Sequence, residues 1–310
     1  MKIMFMGTPE ISALCLEHLF ASGLDVVSAV TGKDKPRGRG NVMTPTAVKR
    51  VAEEHGIPVV TPDTLRSDDF LAYLDEVSPD LIVVVAYGKI LPPAVLEHPR
   101  FGCINLHVSL LPKYRGAAPM QRAIMDGESE TGVTVMHMAE GLDTGDIIMQ
   151  ESFPIGSKDD FEAIHDRSCE VGSRLLVKAI ADIEAGVALR IPQDDALASY
   201  AAKIEKSDCK IDFTMPATRL DCIIRGTTPI PGAFAYLGGK MLKIFNATPV
   251  DKKGTPGEVI ECDARGEGSF TVACGEGALL IRGVIPEGKG RMTAGDFLRG
   301  RKIEVGSVLE

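Results

Sequence analysis

Residues 81–88 read LIVVVAYG, and this stretch decides the fold. It opens with five consecutive branched aliphatic residues and ends in a glycine that can terminate a strand. A short, continuous run of this kind is typical of a strand in the middle of a parallel sheet, because helices cover both faces of such a sheet. The stretch therefore predicts an α/β fold.

Strand and helix patterns alternate on both sides of this stretch. Three more apolar runs predict strands, and the apolar residues between the first two recur at helical spacing. A further helix is predicted to begin after Thr44 as N-cap, with Pro45 in its first turn, and to end at Gly56. The pattern predicts a doubly wound, mostly parallel open sheet, Rossmann-like, whose ligands lie beyond the carboxyl ends of the strands. The three runs are KIMFMG at 2–7, LDVVSAV at 24–30 and CINLH at 103–107.

The character of the sequence changes after about residue 205. Residues 159–185 have the spacing of a long amphipathic helix, whereas five short strand patterns separated by glycine-rich turns follow a predicted helix at 216–226. Short strands at regular spacing predict a small β-barrel of the OB type. We therefore predict a first domain at 1–189, a linker at 190–206 and an OB-like β-barrel domain at 207–310.

Composition excludes several classes of protein. Of the 310 residues, 45% are hydrophobic and 25% are charged, as in an ordinary globular protein and unlike a disordered chain. No window approaches the ~18 consecutive apolar residues of a membrane span, and the first ten residues read as a strand and a turn rather than as a signal peptide. The cysteines show no CxxC spacing, so we expect reduced thiols in a cytoplasmic protein and no zinc ribbon.

The net charge of −9 is unevenly distributed. Residues 1–200 carry an excess of acidic side chains, yet residues 31–50 form a basic island that contains one aspartate. An acidic surface disfavours non-specific nucleic-acid binding, so a contact with RNA has to come from a local patch such as this island. A solvated loop is the ordinary alternative. The basic residues of the island are Lys33, Lys35, Arg37, Arg39, Lys49 and Arg50.

Several common site motifs are absent from the sequence. The turn after the first strand, GTPE at 7–10, holds one glycine where a dinucleotide site has three. There is also no Walker loop, no GxSxG elbow and no HExxH helix. The sequence therefore lacks the usual motifs of dinucleotide-dependent hydride transfer, serine hydrolysis and zinc proteolysis.

Asn105 and His107 are the strongest positive signal. Because they stand two residues apart in a predicted strand, their side chains project to the same side, toward the region where ligands of such sheets bind. The alternative is a strand cap at Asn105 and a structural hydrogen bond at His107. The next residues, SLLPKYRG at 109–116, suit a pocket wall, since a proline directs the backbone between apolar side chains and exposed donors.

An acidic residue in a later loop completes the candidate set. In GLDTGDII at 141–148, Asp143 lies between glycines, and a carboxylate within hydrogen-bond reach of His107 would favour the protonated imidazole and orient it. Asp146 is interpreted as a cap or turn residue. A zinc site made of His107, His137 and Asp143 is the weaker alternative, because the other histidines have no partners at metal spacing.

These residues together carry a family resemblance. INLHVSLLPKYRGAAP at 104–119, AYGKILP at 86–92 and GLDTGDII at 141–148, with GTPE at the start, resemble the methionyl-tRNA formyltransferases of bacteria and organelles. The resemblance continues through YAAKIEKSDCKIDF at 200–213 and covers nearly the whole chain. The sequence departs from the usual family pattern at Ile11, Val108, His137 and Ile230.

The resemblance implies an activity and assigns residues to it. The implied reaction moves the formyl group of 10-formyltetrahydrofolate to the α-amino group of methionine on initiator tRNA, with residues 1–189 as the catalytic domain and no metal. Asn105 and protonated His107 would donate to the formyl oxygen, while Asp143 would hold His107 charged and accept the amine proton. The implied folate-lining residues are Ser109, Leu110, Leu111, Pro112, Lys89, Ile90 and Leu91. The implied tRNA contacts are Lys35, Arg37, Arg39, Lys203, Lys206 and Lys210.

Two other functions stay open on the sequence. A formyltransferase that acts on an amino group of a nucleotide sugar or ribonucleotide would use the same three residues and would need no basic loop. A non-catalytic RNA-binding protein would use the loop and the barrel, and would leave Asn105, His107 and Asp143 unexplained. We expect the protein to be a monomer.

Overall fold

The structure is a computed structural model of the chain and describes residues 1–37, 40–300 and 303–310. The chain is organised as two units, each with its own hydrophobic interior. Unit 1 comprises Met1–Gly116, Thr131–Phe153 and His165–Ala201. Unit 2 comprises Ala117–Glu130, Pro154–Ile164 and Ala202–Glu310.

A seven-stranded sheet forms the centre of unit 1. Its strands are β1 (Ile3–Gly7), β2 (Val26–Val30), β5 (Val59–Val60), β6 (Leu81–Val85), β7 (Cys103–His107), β9 (Glu130–His137) and β10 (Ile147–Pro154). The order is β10-β9-β7-β6-β1-β2-β5. The adjacent strands β7, β6, β1, β2 and β5 run parallel to one another, and β9 is antiparallel to β7. The predicted mostly parallel sheet is therefore confirmed, and β6 is its buried central strand, as the run LIVVV indicated.

Short strands and helices complete unit 1. The helices cover the sheet with their apolar faces, as the periodicity predicted, and the long helix near the end of the unit falls within the predicted 159–185. The short strands are β3 (Lys35–Arg37), β4 (Val42–Thr44), β8 (Arg115–Gly116) and β11 (Tyr200–Ala201). The helices are α1 (Glu10–Ala21), α2 (Ala47–Glu54), α3 (Asp68–Val77), α4 (Pro93–Leu96) and α6 (Phe161–Glu184), of which α6 begins in unit 2.

The start of α2 differs from the prediction. Thr46, not Thr44, is the N-cap: its hydroxyl accepts a hydrogen bond from the backbone N–H of Lys49 at 3.1 Å and shares a second hydrogen bond with Thr31 at 2.8 Å. Thr44 ends β4, and its hydroxyl donates to the carbonyl of Val42 at 3.0 Å. The prediction of Thr44 as the cap is wrong, because two threonines stand close together and only Thr46 can reach a free N–H of the first turn.

The single glycine of the GTPE turn has a packing role. A Cβ at Gly7 would lie 2.6 Å from Cβ of Ser12 and 2.8 Å from the carbonyl oxygen of Val85. The hydroxyl of Ser12 donates to that same carbonyl at 2.6 Å. The glycine therefore lets the first turn of α1 approach the end of β6, which explains it without a dinucleotide.

An antiparallel sheet forms the centre of unit 2. Its strands are β12 (Phe234–Leu237), β13 (Lys240–Val250), β14 (Val259–Asp263), β15 (Ser269–Ala273), β16 (Ala278–Pro286) and β17 (Met292–Thr293). The order is β12-β13-β16-β15-β14, with β17 paired to β16. Leu309 bridges to Leu237 of β12, and Val308 bridges to Glu258 next to β14, so the sheet is closed into the predicted barrel-like arrangement.

Three helices accompany this sheet: α5 (Pro119–Asp126), α7 (Ala217–Thr227) and α8 (Ala294–Gly300). Helix α5 packs against α7 so closely that a Cβ at Gly226 would lie 2.6 Å from the side chain of Met125. The core includes Phe270 and Leu279, both fully buried. In the described ranges of the chain, every helix is too short or too polar to cross a bilayer.

Candidate active site

The predicted pair lies on β7, near the centre of the sheet of unit 1. Asn105 is opposite Met136 of β9, and His107 is opposite Thr134. The two residues are 9% and 6% exposed. Because residues i and i+2 of a strand share a face, the structure places the amide and the imidazole on one side of the sheet, as expected.

A backbone carbonyl fixes the ring of His107. Nε2 lies 2.9 Å from the carbonyl oxygen of Tyr114, an atom that can only accept, so Nε2 carries a proton. Tyr114 has a φ of 61° and thereby turns its carbonyl toward the strand. Nδ1 is consequently the ring nitrogen that is left to meet a ligand. Sequence reasoning missed the role of Tyr114, because a backbone carbonyl has no side-chain signature.

Asp143 lies beside His107, as the sequence predicted, although with different contacts. Its Oδ2 is 3.6 Å from Nδ1 of His107, which exceeds hydrogen-bond distance, and the expected hydrogen bond is not formed. The carboxylate instead accepts from the backbone N–H of Gly116 at 2.9 Å. Both side chains are shielded from solvent, with 7% and 13% of their surface exposed, so the interaction of their charges is weakly screened.

The amide of Asn105 differs from both neighbours in having no fixed partner. Within the described residues, its side chain makes no hydrogen bond to the protein. Its polar atoms are also not among the fully buried ones that lack a partner, so they are accessible from outside the protein. Its donors and its acceptor are thus available to a ligand next to His107 and Asp143. The arrangement places N–H donors of Asn105 and His107 on one face of the sheet, with the carboxylate of Asp143 beside His107.

The turn after β7 is tied down along its length. The hydroxyl of Thr134 donates to the carbonyl of Ser109 at 2.6 Å, and the amide of Gln150 donates to the carbonyl of Leu111 at 2.8 Å. Ser109 and Leu111 are buried, while Leu110 and Pro112 are half-buried. Contact of these four residues with folate stays a prediction. Sequence reasoning missed Thr134 and Gln150, which lie on β9 and β10.

The loop after β6 has an unusual backbone. Ala86 and Gly88 have φ values of 45° and 78°, the left-handed region, which is strained for an alanine. Lys89 donates to the carbonyls of Pro62 and Asp63 at 2.7 and 3.0 Å. Leu91 is buried, whereas Ile90 is 79% exposed and could cover an apolar ligand. Folate contacts of Lys89, Ile90 and Leu91 also stay predictions.

The basic island is partly used in ion pairs within the protein. Lys33 lies 2.5 Å from Asp63, Lys49 lies 2.8 Å from Asp34, and Arg50 lies 2.9 Å from Glu10. Lys35, on the exposed hairpin of β3 and β4, has no ion pair among the described residues. Arg39 lies outside the described residues, as does the side chain of Arg37.

The predicted tRNA-binding lysines of unit 2 are exposed. Nζ of Lys206 lies 5.7 Å from the ring centroid of Phe234, and Nζ of Lys210 lies 5.9 Å from that of Tyr236. Lys203 is exposed on the segment before them. Exposed ammonium groups beside aromatic rings of one strand are suited to contacts with phosphates, and binding of tRNA by these residues stays a prediction.

His137 is buried at the end of β9. Its Nε2 has no hydrogen-bond partner among the described residues. Burial lowers the pKa of His137, and the positive charge of Arg190 lowers it further. In the part of the chain that the structure describes, no three His, Cys, Asp or Glu side chains are arranged to hold a metal ion, so the alternative zinc site has no geometric basis.

Two family models match the sequence over most of its length. The model described as formyl transferase matches residues 1–180, and the model described as formyl transferase, C-terminal domain, matches residues 203–302. A methionyl-tRNA formyltransferase of Citrifermentans bemidjiense is 45% identical over 100% of this chain and 96% of its own length. One of Parvibaculum lavamentivorans is 47% identical over 99% of both chains.

Solved structures share the fold at lower identity. WlaRD, a sugar 3N-formyl transferase solved in the presence of dTDP and 5-N-formyl-THF, has a TM-score of 0.66 at 21% identity, covering 94% of this chain and 99% of its own. HypX of Aquifex aeolicus in complex with tetrahydrofolic acid has a TM-score of 0.66 at 20% identity, covering 98% of this chain and 50% of its own. At these sequence identities, the two structures show only that they share the fold of this chain.

Proposed function

The chain belongs to the formyl transferase family, and on that premise we propose that it transfers the formyl group of 10-formyltetrahydrofolate to the α-amino group of methionyl initiator tRNA. Relatives named methionyl-tRNA formyltransferase, 40–47% identical along nearly the whole chain, support this acceptor. The observation that carries the chemistry is the grouping of Asn105, His107 and Asp143 on one face of the sheet.

The chain's contribution begins with the oxygen of the formyl group. The donor supplies that group, and attack by an amine places negative charge on its oxygen. Nδ1–H of His107 and the amide N–H of Asn105 donate to that oxygen, and each well-aimed donor contributes on the order of 3 kcal/mol to stabilising the transition state. His107 can do this without turning, because the carbonyl of Tyr114 already holds the ring through Nε2.

Asp143 is the general base that accepts a proton from the attacking amine. An α-amino group has a reference pKa of about 7.7–8.0, so part of it is neutral at physiological pH and needs little activation. As the new C–N bond forms, the amine must lose a proton, and the carboxylate of Asp143 accepts it directly or through a water. When the tetrahedral intermediate collapses, the bond from the formyl carbon to the folate nitrogen breaks, that nitrogen takes up a proton, and tetrahydrofolate leaves. Oδ2 of Asp143 lies 3.6 Å from Nδ1 of His107, so the two groups face the same reacting atoms.

Binding of the two substrates is assigned to separate surfaces. Ser109, Leu110, Leu111 and Pro112, with Lys89, Ile90 and Leu91, form the proposed folate wall, and the free amide of Asn105 offers a polar contact at its end. Lys35, Arg37 and Arg39 contact the acceptor end of the tRNA, while Lys203, Lys206 and Lys210 contact its backbone. The tRNA contacts are electrostatic and are expected to weaken with salt.

We also propose the domain limits read from the sequence. Residues 1–189 form the catalytic domain, 190–206 the linker and 207–310 the barrel domain. The family models support this, since one ends at residue 180 and the other begins at residue 203. We further propose that the protein works as a monomer in the cytoplasm.

A formyl-transfer assay tests the function. Purified protein is mixed with 10-formyltetrahydrofolate and radiolabelled methionyl initiator tRNA, and formylmethionine is measured after hydrolysis. We expect turnover with this acceptor and at least ~10²-fold lower kcat/KM with methionyl elongator tRNA or with an amino sugar nucleotide. Preference for the amino sugar nucleotide would replace the proposal with the nearest rival activity.

A further inference from the structure

The side chain of Gln193 holds the loop that carries Asp143. Its Nε2 donates to the carbonyl oxygens of Asp143, at 2.9 Å, and of Gly145, at 2.7 Å. One amide thus uses both of its N–H groups on two carbonyls of the same loop. Gln193 belongs to unit 1 and lies fifty residues beyond Asp143 in the chain.

The other end of this amide is held by an arginine. Oε1 of Gln193 accepts from Nε and Nη2 of Arg115 at 3.1 and 2.8 Å. The guanidinium of Arg115 is largely buried, with 12% of the side chain exposed. The next residue, Gly116, donates its N–H to the carboxylate of Asp143. Asp143 is therefore held twice from one short segment: directly at its carboxylate, and through Gln193 at its carbonyl.

The loop needs such support because its backbone is strained and tightly packed. Asp143 has a φ of 53°, in the left-handed region, at a cost of order 1 kcal/mol for a residue with a side chain. A Cβ at Gly145 would lie 1.7 Å from the carbonyl oxygen of His137, so the loop passes directly over β9. Only a side-chain amide offers two donors to these carbonyls and one acceptor to Arg115.

We propose that Gln193 is a positioning residue of formyl transfer: its amide fixes the backbone of Asp143 and thereby aims the carboxylate at His107. The proposal rests on the proposed function for its kinetic consequence. Displacement of a catalytic group by about 1 Å costs up to about 10²-fold in rate, while substrate binding is little affected when the substrates do not contact the displaced group.

The kinetic test compares Gln193→Ala and Gln193→Glu with the neighbour control Asp194→Ala. Asp194 is exposed, and its side chain accepts from the N–H of Ala196 rather than contacting the carbonyls of Asp143 and Gly145. We expect the alanine variant to lose about 10- to 10²-fold in kcat, with KM for both substrates changed by less than about threefold. Unchanged kcat in Gln193→Ala, or an equal loss in Asp194→Ala, would overturn the proposal.

The glutamate variant adds a readout that general destabilisation would not move. An ionised glutamate cannot donate to the two carbonyls, whereas a protonated one donates once. A glutamate beside the guanidinium of Arg115 is ionised at neutral pH, so Gln193→Glu should lose at least as much kcat as Gln193→Ala although it keeps the acceptor for Arg115. Wild-type kcat in Gln193→Glu contradicts the proposed donor role.

Hydrogen exchange tests the same contact without turnover. The N–H of Gly116 reports on the carboxylate of Asp143, to which it donates. We expect Gln193→Ala to speed exchange of this amide by at least about tenfold, with strand β6 protected as in the wild type. Normal exchange of Gly116 in this variant would refute the positioning role. Wild-type protein without formyl-transfer activity but with this exchange result would instead refute the proposed function alone.

Discussion

Nδ1 of His107 lies 3.6 Å from Oδ2 of Asp143, while Nε2 of the same ring is bound to the carbonyl of Tyr114. The two ring nitrogens therefore have different tasks. One anchors the ring to the backbone, and the other faces the carboxylate. We therefore expect substitution of His107 and substitution of Asp143 to affect kcat in different ways.

His107→Ala and Asn105→Ala should each lower kcat by at least ~10²-fold, because each removes a donor to the oxygen that becomes negative. Affinity for the tRNA should change little, since that oxygen belongs to the folate donor. Single-turnover kinetics and filter binding measure the two quantities. His98, which lies 2.9 Å from Asp75 and away from these residues in the chain, is the control for loss of a histidine. Near-normal kcat in either variant refutes the assigned roles.

Asp143→Asn should lower kcat by about 10²- to 10⁴-fold while leaving the fold intact. The substitution preserves the shape of the side chain and an oxygen that can accept from Gly116, so only the charge and the basicity are lost. The deficit should shrink at high pH, where hydroxide takes, in place of the carboxylate, the proton that the attacking nitrogen loses as the bond forms. A pH profile of kcat for wild type and variant measures this, and a deficit that does not change from pH 7 to pH 9 argues against proton acceptance.

Arg39→Ala and Lys35→Ala should raise KM for the tRNA and reduce the salt dependence of tRNA binding by about one counterion each. Folate binding should be unaffected. Lys178→Ala, at an exposed position of α6, is the matched control for loss of positive charge. Titrations with labelled tRNA at several salt concentrations give the slopes. A loss that is as large for a minimal amine acceptor as for tRNA would contradict this assignment.

Thr46→Ala should destabilise the protein by about 1 kcal/mol, because it removes the N-cap hydrogen bond to Lys49 and leaves the hydroxyl of Thr31 without its partner. Thr44→Ala should cost less than about 0.5 kcal/mol, since its hydroxyl contacts only a carbonyl of the exposed hairpin. Denaturant unfolding of the two variants checks the difference. The opposite ranking would restore Thr44 as the cap.

His137→Gln should reduce the loss of stability on acidification. Burial keeps the pKa of His137 below its ordinary value of 6.5 in the folded protein. Below pH 6.5 the unfolded chain therefore binds a proton that the folded chain does not, and stability falls as the pH is lowered. The thermal midpoint of the variant should drop less than that of the wild type between pH 7.5 and 5.5. Parallel drops would show that His137 does not titrate differently in the two states.

Much of the fold could be predicted from local patterns. The predicted strands KIMFMG at 2–7 and CINLH at 103–107 match β1 and β7, because each is a short apolar run bounded by turn residues. Strand β17 and helix α8 were missed. The strand has two residues, and the helix AGDFLRG contains two glycines and is formed against the barrel rather than by propensity.

The sequence predicted which side chains form the site, but not the backbone contacts that hold them. Asn105 and His107 stand two residues apart in a predicted strand, and Asp143 lies between glycines in a later loop, so these patterns made all three candidates and the family resemblance assigned their roles. The contacts of His107 with the carbonyl of Tyr114 and of Asp143 with the N–H of Gly116 involve backbone atoms, which any residue offers. Gln193 lies too far along the chain for any spacing rule to connect it with Asp143.

The closure of the antiparallel sheet has a consequence for synthesis. Val308 and Leu309 bridge to residues in or next to the two outer strands, and they follow every strand of that sheet in the chain. A nascent chain therefore lacks part of the pairing along two strand edges until these residues leave the ribosome. Unpaired edges recruit strands of other molecules, so a chain that stops before Val308 is expected to aggregate although all its strands are present.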